Sequence, residues 1–140
     1  MNLGFIGTGR IASSVITGIC KSEISFNRIF ISARNKLISQ KLKKKFKNII
    51  IVNNNQEIVN KCNWIFLSVT PNVGEKIIKE LKFNPNQTII SFISTITLAQ
   101  LKKMIKVKAK IVRAIPLPPI SLKKGPVPIC PPNKKVKDFF

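Results

Sequence analysis

The sequence predicts an α/β fold built on a doubly wound parallel sheet. Short apolar segments without polar alternation recur along the first 115 residues, which is typical of strands buried on both faces. Segments with apolar residues at helical spacing separate them, so strands and helices alternate along the chain. After residue 115, seven prolines fall within 17 positions, and an extended Pro-rich tail is expected there.

The first elements are predicted from an apolar run, a glycine and two helical stripes. Leu3–Ile6 is apolar and ends at Gly7, as a buried strand does. Arg10–Lys21 contains no proline, and its apolar residues recur at helical spacing. Arg28–Ser32 is the second predicted strand, and the apolar stripe within the lysine-rich segment Asn35–Lys47 predicts the second helix.

The middle of the chain continues the same alternation. Asn48–Val52 is mostly β-branched and predicts a third strand, while the polar segment Asn53–Asn63 predicts a brief helix. Trp64–Val69 is the fourth predicted strand, and Thr70–Pro71 stops it. The apolar stripe of Val73–Leu81 then predicts a helix.

The last predicted elements are strand Thr88–Phe92, helix Leu98–Ile105 and strand Lys110–Ile115. We therefore expect one domain over residues 1–115 and a Pro-rich linker over residues 116–140. The chain ends with three apolar residues that are expected to lie exposed and to promote association: Val136, Phe139 and Phe140.

Charge and the absence of histidine limit the possible chemistry. The chain has 25 Lys and Arg, 5 Asp and Glu and no His, for a formal net charge of +20. Without histidine, Ser-His-Asp catalysis, Cys-His catalysis and His-ligated metal sites are all excluded. The five acids form no paired motif, which disfavours two-carboxylate hydrolysis. We expect no metal and little acid–base machinery.

The charge also raises the hypothesis of a nucleic-acid or anionic-membrane partner. However, 21 of the basic residues are lysine, and Lys, Ile, Asn and Phe all have A/T-rich codons, so compositional drift explains the charge. No aromatic ribonucleoprotein motif, zinc-finger spacing or basic region with heptads is present. We expect no nucleic-acid partner, and a basic nucleic-acid binder remains an alternative.

Cysteine usage and the absence of targeting signals predict a cytoplasmic location. The chain has three cysteines, and their odd number and wide spacing are typical of reduced thiols rather than of a disulfide framework. No charged start of a secretory signal precedes Arg10, and polar residues interrupt the longest uncharged stretch, so no membrane span is expected.

The turn between the first predicted strand and helix carries a G-x-G-x-x-A motif. Its residues are Gly7, Thr8, Gly9, Arg10, Ile11 and Ala12. In this pattern Gly7 permits a tight turn, Gly9 lets the backbone approach a pyrophosphate, and Ala12 keeps the helix close to the sheet. Because a strand precedes the motif and a helix follows it, we predict a Rossmann-like dinucleotide site.

The end of the second predicted strand indicates which dinucleotide binds. Sites for NAD usually place an acid there to hold the ribose 2′-hydroxyl, whereas NADP sites often have an arginine. This chain has Arg34 and Lys36 there and no acid. Because a guanidinium can hold a 2′-phosphate with two hydrogen bonds, we predict NADP (NADPH) as the cofactor. The alternative is that Arg34 is an ordinary solvated cation.

Four segments together resemble pyrroline-5-carboxylate reductase. They are Gly4–Gly9, Arg34, Ser68–Pro71 and Arg113–Pro116. The resemblance covers residues 2–132 but only the amino-terminal half of a usual family member. It implies NADPH-dependent reduction of a cyclic imine to proline, in proline biosynthesis. It also implies a second, helical domain that mediates homo-oligomer formation, of which residues 116–140 are the linker and truncated start.

The resemblance also implies which residues contact the cofactor. The glycine motif is expected to hold the pyrophosphate, Arg34 the 2′-phosphate, and Asn55 the adenosine ribose. The residues implied near the nicotinamide are Ser68, Val69, Thr70, Pro71, Ser94 and Thr95. The resemblance gives no catalytic residue in this chain.

The sequence departs from the family pattern near the expected chemistry. Thr70 replaces a lysine, Thr95 a glycine, and Leu117–Pro118 a polar Asn-Thr pair. The departure at Leu117–Pro118 leaves open a related NADP-dependent imine or F420-type reductase that acts on another substrate. A second alternative, suggested by the expected lack of the helical domain, is a non-catalytic remnant that only binds the cofactor.

Overall fold

A computed structural model describes residues 1–140, which form one seven-stranded sheet flanked by helices. The strands are β1 Leu3–Ile6, β2 Ile29–Ser32, β3 Ile49–Val52, β4 Trp64–Leu67, β5 Thr88–Ser91, β6 Lys110–Ala114 and β7 Ile129–Cys130. The helices are α1 Arg10–Cys20, α2 Lys36–Lys45, α3 Asn55–Lys61, α4 Pro71–Glu80, α5 Leu98–Met104 and α6 Lys134–Phe139, with a 3-10 helix at Pro118–Leu122.

The strand order is β3-β2-β1-β4-β5-β6-β7. Strands β1 to β6 are parallel, and β7 runs antiparallel to β6. The chain passes from the edge strand β3 back to the centre, where β4 pairs with β1. The loops after β1 and β4 therefore leave the sheet at the point where strand order reverses, which is where doubly wound sheets bind ligands.

Apolar residues on both faces of the strands explain why helices cover the sheet on two sides. Phe5, Phe66 and Val112 belong to one core cluster, which also contains residues of α1, α2 and α6. Ile6 and Ile65 belong to a second cluster, with residues of α3, α4 and α5. Successive residues along a strand thus pack into opposite clusters. Each strand must therefore be apolar at successive positions and cannot alternate with polar residues.

The predicted α/β fold with a doubly wound parallel sheet is confirmed. All six predicted strands and all five predicted helices are present, and their bounds agree to within a few residues. None of the helices has the length and apolar character needed to cross a membrane.

The extended Pro-rich tail is not confirmed. Beyond residue 115 the chain forms the 3-10 helix, then β7 beside β6, and finally α6. Proline does not prevent this arrangement, because Pro118 occupies the first turn of the 3-10 helix, where a missing N–H costs nothing. Helix α6 begins after the last proline, and the side chain of Asn133 caps it by accepting a hydrogen bond from the Val136 N–H.

The expectation that the terminal apolar residues lie exposed is wrong. Val136 is fully buried, and Phe139 is only 8% exposed. The ring of Phe139 packs against Trp64, with 4.9 Å between ring centroids, and against Phe66 of β4. Phe140 is half-buried beside Phe92. The surface that covers these residues is formed by aromatic side chains of β4 and of the segment after β5, in the same core cluster as α1.

Candidate functional site

Gly7 ends β1 in a conformation that only glycine adopts readily. Its φ angle is +96°, in the region that side chains disfavour. A Cβ atom at this position would also collide with the backbone carbonyl of Ser68, just after β4. Glycine at position 7 therefore lets the loops after β1 and β4 lie directly against each other.

Gly9 has the opposite surroundings. Its backbone is extended, with φ −79° and ψ −169°, and no heavy atom lies within 4 Å of the place where a Cβ would sit. A side chain here would not disturb the fold but would fill the open space in front of the loop. This is the cradle that a close backbone approach to a phosphate requires.

The amino terminus of α1 faces this space with unpaired backbone donors. No side chain caps the helix, and the first helical N–H with a partner is that of Ser13, which donates to the Gly9 carbonyl at 3.0 Å. The amides of Arg10, Ile11 and Ala12 have no partner within the protein. Free amides and the positive end of the helix dipole make this terminus suited to bind an anion.

Two buried hydroxyls fasten the glycine loop to the end of β2. The Gly7 N–H donates to Ser32 Oγ at 3.0 Å, and Thr8 Oγ1 donates to the Ser32 carbonyl at 3.2 Å. Both side chains are buried, so these bonds are shielded from water. The Thr8 hydroxyl therefore positions the loop. Ser32 was missed by sequence reasoning, although a serine at the end of an otherwise apolar strand was a signal.

A cavity of about 650 Å³ opens in front of the loop. Its lining residues are Gly7, Thr8, Gly9, Arg34, Asn35, Lys36, Leu37, Ser68, Val69 and Thr70. The structure thus brings Arg34 and the segment after β4 together with the glycine loop, as the sequence predicts. The wall carries two cations, Arg34 and Lys36, and no carboxylate, so its charge favours a phosphorylated ligand.

Arg34 lies at the cavity, just before the N-cap of α2. Asn35 caps this helix, since its side-chain oxygen accepts a hydrogen bond from the Ile38 N–H at 3.2 Å. Arg34 itself is exposed and forms no ion pair. Leu37, which sequence reasoning missed, lies at the cavity rim with 86% of its surface exposed.

The segment after β4 leads into a second uncapped helix. Thr70 is the N-cap of α4, makes no side-chain cap, and accepts a backbone hydrogen bond from Gly74 at 2.8 Å. Pro71 is in the first turn of α4 and is not among the residues that line the cavity.

Seven predicted site residues are not among those that line this cavity: Arg10, Ile11 and Ala12, whose backbone amides begin α1 beside it, Pro71 in the first turn of α4, and Asn55, Ser94 and Thr95. Asn55 begins α3 and lines a separate cavity with Ile77 and Glu80, so its ribose contact stays a prediction. Ser94 and Thr95 form an exposed turn after β5, at the same edge of the sheet as the glycine loop. Their contact with a nicotinamide also stays a prediction.

The thiols are not placed for chemistry in the cavity. Burial raises the pKa of the Cys62 thiol from its ordinary value of 9.0 to about 12 and that of Cys20 to about 11. Neither residue lines the cavity. The groups there are amides, hydroxyls, one guanidinium and one ammonium, a set suited to binding phosphates and sugar hydroxyls.

The strand order, with the glycine loop at its reversal point, is that of Rossmann-type domains, the class to which this chain belongs. Sequence comparison then gives the family. Residues 2–95 match the family described as "NADP oxidoreductase coenzyme F420-dependent", and the chain is a member of that family.

Relatives with curated names are pyrroline-5-carboxylate reductases, in agreement with the resemblance drawn from the sequence. The chain is 29% identical over 128 residues to pyrroline-5-carboxylate reductase 3 of Xenopus laevis, which covers 89% of this chain and 46% of the relative. It is 25% identical over 132 residues to the Escherichia coli enzyme, covering 92% of this chain and 49% of the relative. The chain therefore spans about half the length of these relatives.

Solved structures share the fold. Pyrroline carboxylate reductase from Plasmodium falciparum, solved with NADP bound, superposes with a TM-score of 0.84 at 23% identity, covering 100% of this chain and 54% of that one. The Coxiella burnetii pyrroline-5-carboxylate reductase gives 0.83 at 24%, covering 98% and 53%. Prephenate dehydrogenase from A. aeolicus gives 0.76 at 15%, covering 99% and 56%. Because proteins named for different reactions share this fold, the fold by itself does not identify the substrate.

Proposed function

We propose that this chain is the NADPH-binding half of a reductase similar to pyrroline-5-carboxylate reductase, which reduces a cyclic imine to proline. The observation that carries the proposal is the open cradle at Gly9, where free helix amides face a cationic cavity at the reversal point of the sheet. The family match and the curated relatives support the reaction class.

The residues present fit a nicotinamide dinucleotide. The pyrophosphate would lie against the amides of Arg10, Ile11 and Ala12, since no side chain at Gly9 stands in the way. The Arg34 guanidinium is free to hold a 2′-phosphate with paired hydrogen bonds, and Lys36 adds positive charge. No carboxylate lines this wall to accept hydrogen bonds from a ribose 2′-hydroxyl. The site therefore favours NADPH over NADH.

The protein's part in the reaction is to bind and orient. When bound, the cofactor supplies a hydride. The glycine loop, fixed by Ser32 and Thr8, holds the phosphates at one place, and the loop after β4 borders them. A protonated imine carbon is already electrophilic, which makes a strong general acid unnecessary. The lack of histidine and of carboxylates in the cavity is compatible with this chemistry.

The imine, in this proposal, is held by the part of the relatives that the chain does not match. The cofactor domain in this proposal includes residues 116–140 and not only residues 1–115, because β7 extends the sheet and α6 packs in its core. The unmatched part of the relatives would also mediate homo-oligomer formation. We place the protein in the cytoplasm, because its three free cysteines are typical of a reducing compartment.

A different imine as substrate is the second candidate. Leu117 follows β6, precedes the 3-10 helix at the ligand edge of the sheet, and is 51% exposed. An apolar side chain at this place favours a less polar substrate than pyrroline-5-carboxylate. A panel of cyclic imines with and without a carboxylate, tested in full-length relatives carrying Leu at this position, separates the two candidates.

Calorimetry with NADPH and NADH tests the cofactor proposal. The Arg34→Ala variant should weaken NADPH binding by about 1.5–3 kcal/mol, the range for hydrogen bonds to charged groups, and leave NADH nearly unchanged. Arg28→Ala is the matched control, because it removes the same charge at the opposite end of β2, where the Arg28 side chain donates only to the Asn48 side chain. If Arg34→Ala weakened the binding of NADPH and NADH equally, the proposal would be contradicted. The same holds if Arg28→Ala weakened NADPH binding as much as Arg34→Ala does.

Turnover by the chain alone tests where the imine binds. With NADPH and pyrroline-5-carboxylate at neutral pH, the purified chain should bind the cofactor but oxidise it far below the usual enzymatic range of ~1–1000 per second. The physical reason is that misplacing the imine carbon by about 1 Å can cost ~100-fold. An ordinary rate would show that these 140 residues also hold the substrate.

A further inference from the structure

Arg113 is an unusual residue for its place in the fold. It lies near the carboxyl end of β6, between Val112 and Ala114, which are both buried. Its backbone neighbours across the sheet are Ser91 of β5 and Cys130 of β7. A charged side chain between two paired strands is therefore held at the same edge of the sheet as the glycine loop.

The guanidinium reaches one acceptor. Arg113 Nη2 donates to the Ser94 carbonyl at 2.5 Å, while its Nε is buried with no partner. A buried donor without a partner is unfavourable, so local packing alone does not account for an arginine here.

This contact is the only hydrogen bond that the protein makes to the turn Ser94–Thr95. On either side of the turn, Ile93 and Ile96 are buried in the second core cluster. The flanks are thus fixed by packing, while the exposed tip depends on Arg113 for its position.

The position of this turn relates it to the proposed cofactor. Phosphates on the glycine loop after β1, with one nucleoside towards Arg34 after β2, leave the other nucleoside on the β4–β5 side of the reversal point. Ser94–Thr95 is the exposed turn that follows β5 on that side.

We propose that Arg113 is a positioning residue, which holds the Ser94–Thr95 turn as the floor of the nicotinamide half of the site. The inference rests on the proposed function, because it needs a dinucleotide at the glycine loop. The guanidinium acts by donating a hydrogen bond to the Ser94 carbonyl. Arg113 need not touch the cofactor itself.

Two ligands that differ only in the nicotinamide provide the test. These are NADPH and 2′-phospho-ADP-ribose, which carries the same phosphates and adenosine. Arg113→Met keeps the side-chain length but removes every donor. NADPH should then bind about tenfold more weakly, because binding must now order the turn that the hydrogen bond to Ser94 held in place. Binding of 2′-phospho-ADP-ribose should be unchanged. The increase in nicotinamide fluorescence on binding should also be lost.

Arg113→Lys is the second variant and keeps the charge and one donor. It should restore most of the NADPH affinity and of the fluorescence increase, and it keeps the test valid if the methionine variant does not fold. Equal weakening of both ligands, or no weakening of either, would overturn the inference. So would a wild-type chain that binds both ligands equally well, because the nicotinamide would then make no contact. If the wild-type chain bound neither ligand, the proposed function itself would fail.

Discussion

The glycine-loop edge of the sheet and the last 25 residues of the chain differ in whether their polar groups and side chains find partners within the protein. At the loop, the amides of Arg10, Ile11 and Ala12 have no partner within the protein, and no protein atom fills the space in front of Gly9. In the carboxyl-terminal segment, the side chains of Val136 and Phe139 are buried against the sheet. The glycine-loop edge thus has the open donors and space that a ligand needs, whereas the carboxyl-terminal segment completes the core.

The largest effect is expected from removing a ring of the carboxyl-terminal helix. Phe139→Ala deletes contacts with Trp64 and Phe66 and should lower the free energy of unfolding by about 3–5 kcal/mol. Urea unfolding followed by circular dichroism measures this loss. Leu122→Ala is the control in the same segment, because Leu122 is 62% exposed, and it should change stability by less than about 0.5 kcal/mol.

A loss for Phe139→Ala no larger than that of the control would show that α6 does not belong to the core. Residues 116–140 would then behave as an extended Pro-rich tail and not as part of the core.

Thiol reactivity gives a smaller effect and distinguishes a buried cysteine from an exposed cysteine in the carboxyl-terminal segment. Burial raises the pKa of Cys62 to about 12, so at pH 8 its thiol stays protonated and should react slowly with a thiol reagent. Cys130 is exposed on β7 and should react first. Cys130→Ser should abolish the fast phase, and stopped-flow absorbance checks this. A fast phase that survives the substitution would place the reactive thiol elsewhere.

The same shift makes stability depend on pH. Because the folded-state pKa of Cys62 lies above the ordinary value of 9.0, its contribution is fully present below pH 9. The contribution is lost as the pH rises towards 12, since the unfolded chain then ionises first. Unfolding midpoints of the wild type and of Cys62→Ala should therefore converge over this range.

The sequence predicts the sheet and the glycine loop well because their signals are local. A strand such as Leu3–Ile6 is apolar at every position because both of its faces are covered. The conformation of Gly7 follows from its place in the motif. Arg34 is correctly predicted at the cavity, since it lies two residues after β2, whose carboxyl end is at the ligand edge of the sheet.

The parts that sequence reasoning missed depend on contacts between distant residues. The surface that receives Phe139 is made by Trp64 and Phe66, and no local pattern near residue 139 indicates it. Ser32 supports the loop through hydrogen bonds to residues about 25 positions away. The contact between Arg113 and Ser94 likewise needs the pairing of β5 with β6.

We propose that the open space at Gly9 receives the phosphates of NADPH, and the Gly9→Val variant tests this directly. The extended backbone at position 9 accepts valine, and no protein atom lies near its Cβ. Calorimetry with NADPH should therefore show no binding, while the urea midpoint equals that of the wild type. Gly7→Ala is the contrasting control, because its positive φ should cost about 1–3 kcal/mol of stability. Normal NADPH binding by a folded Gly9→Val protein would show that the phosphates do not lie at Gly9.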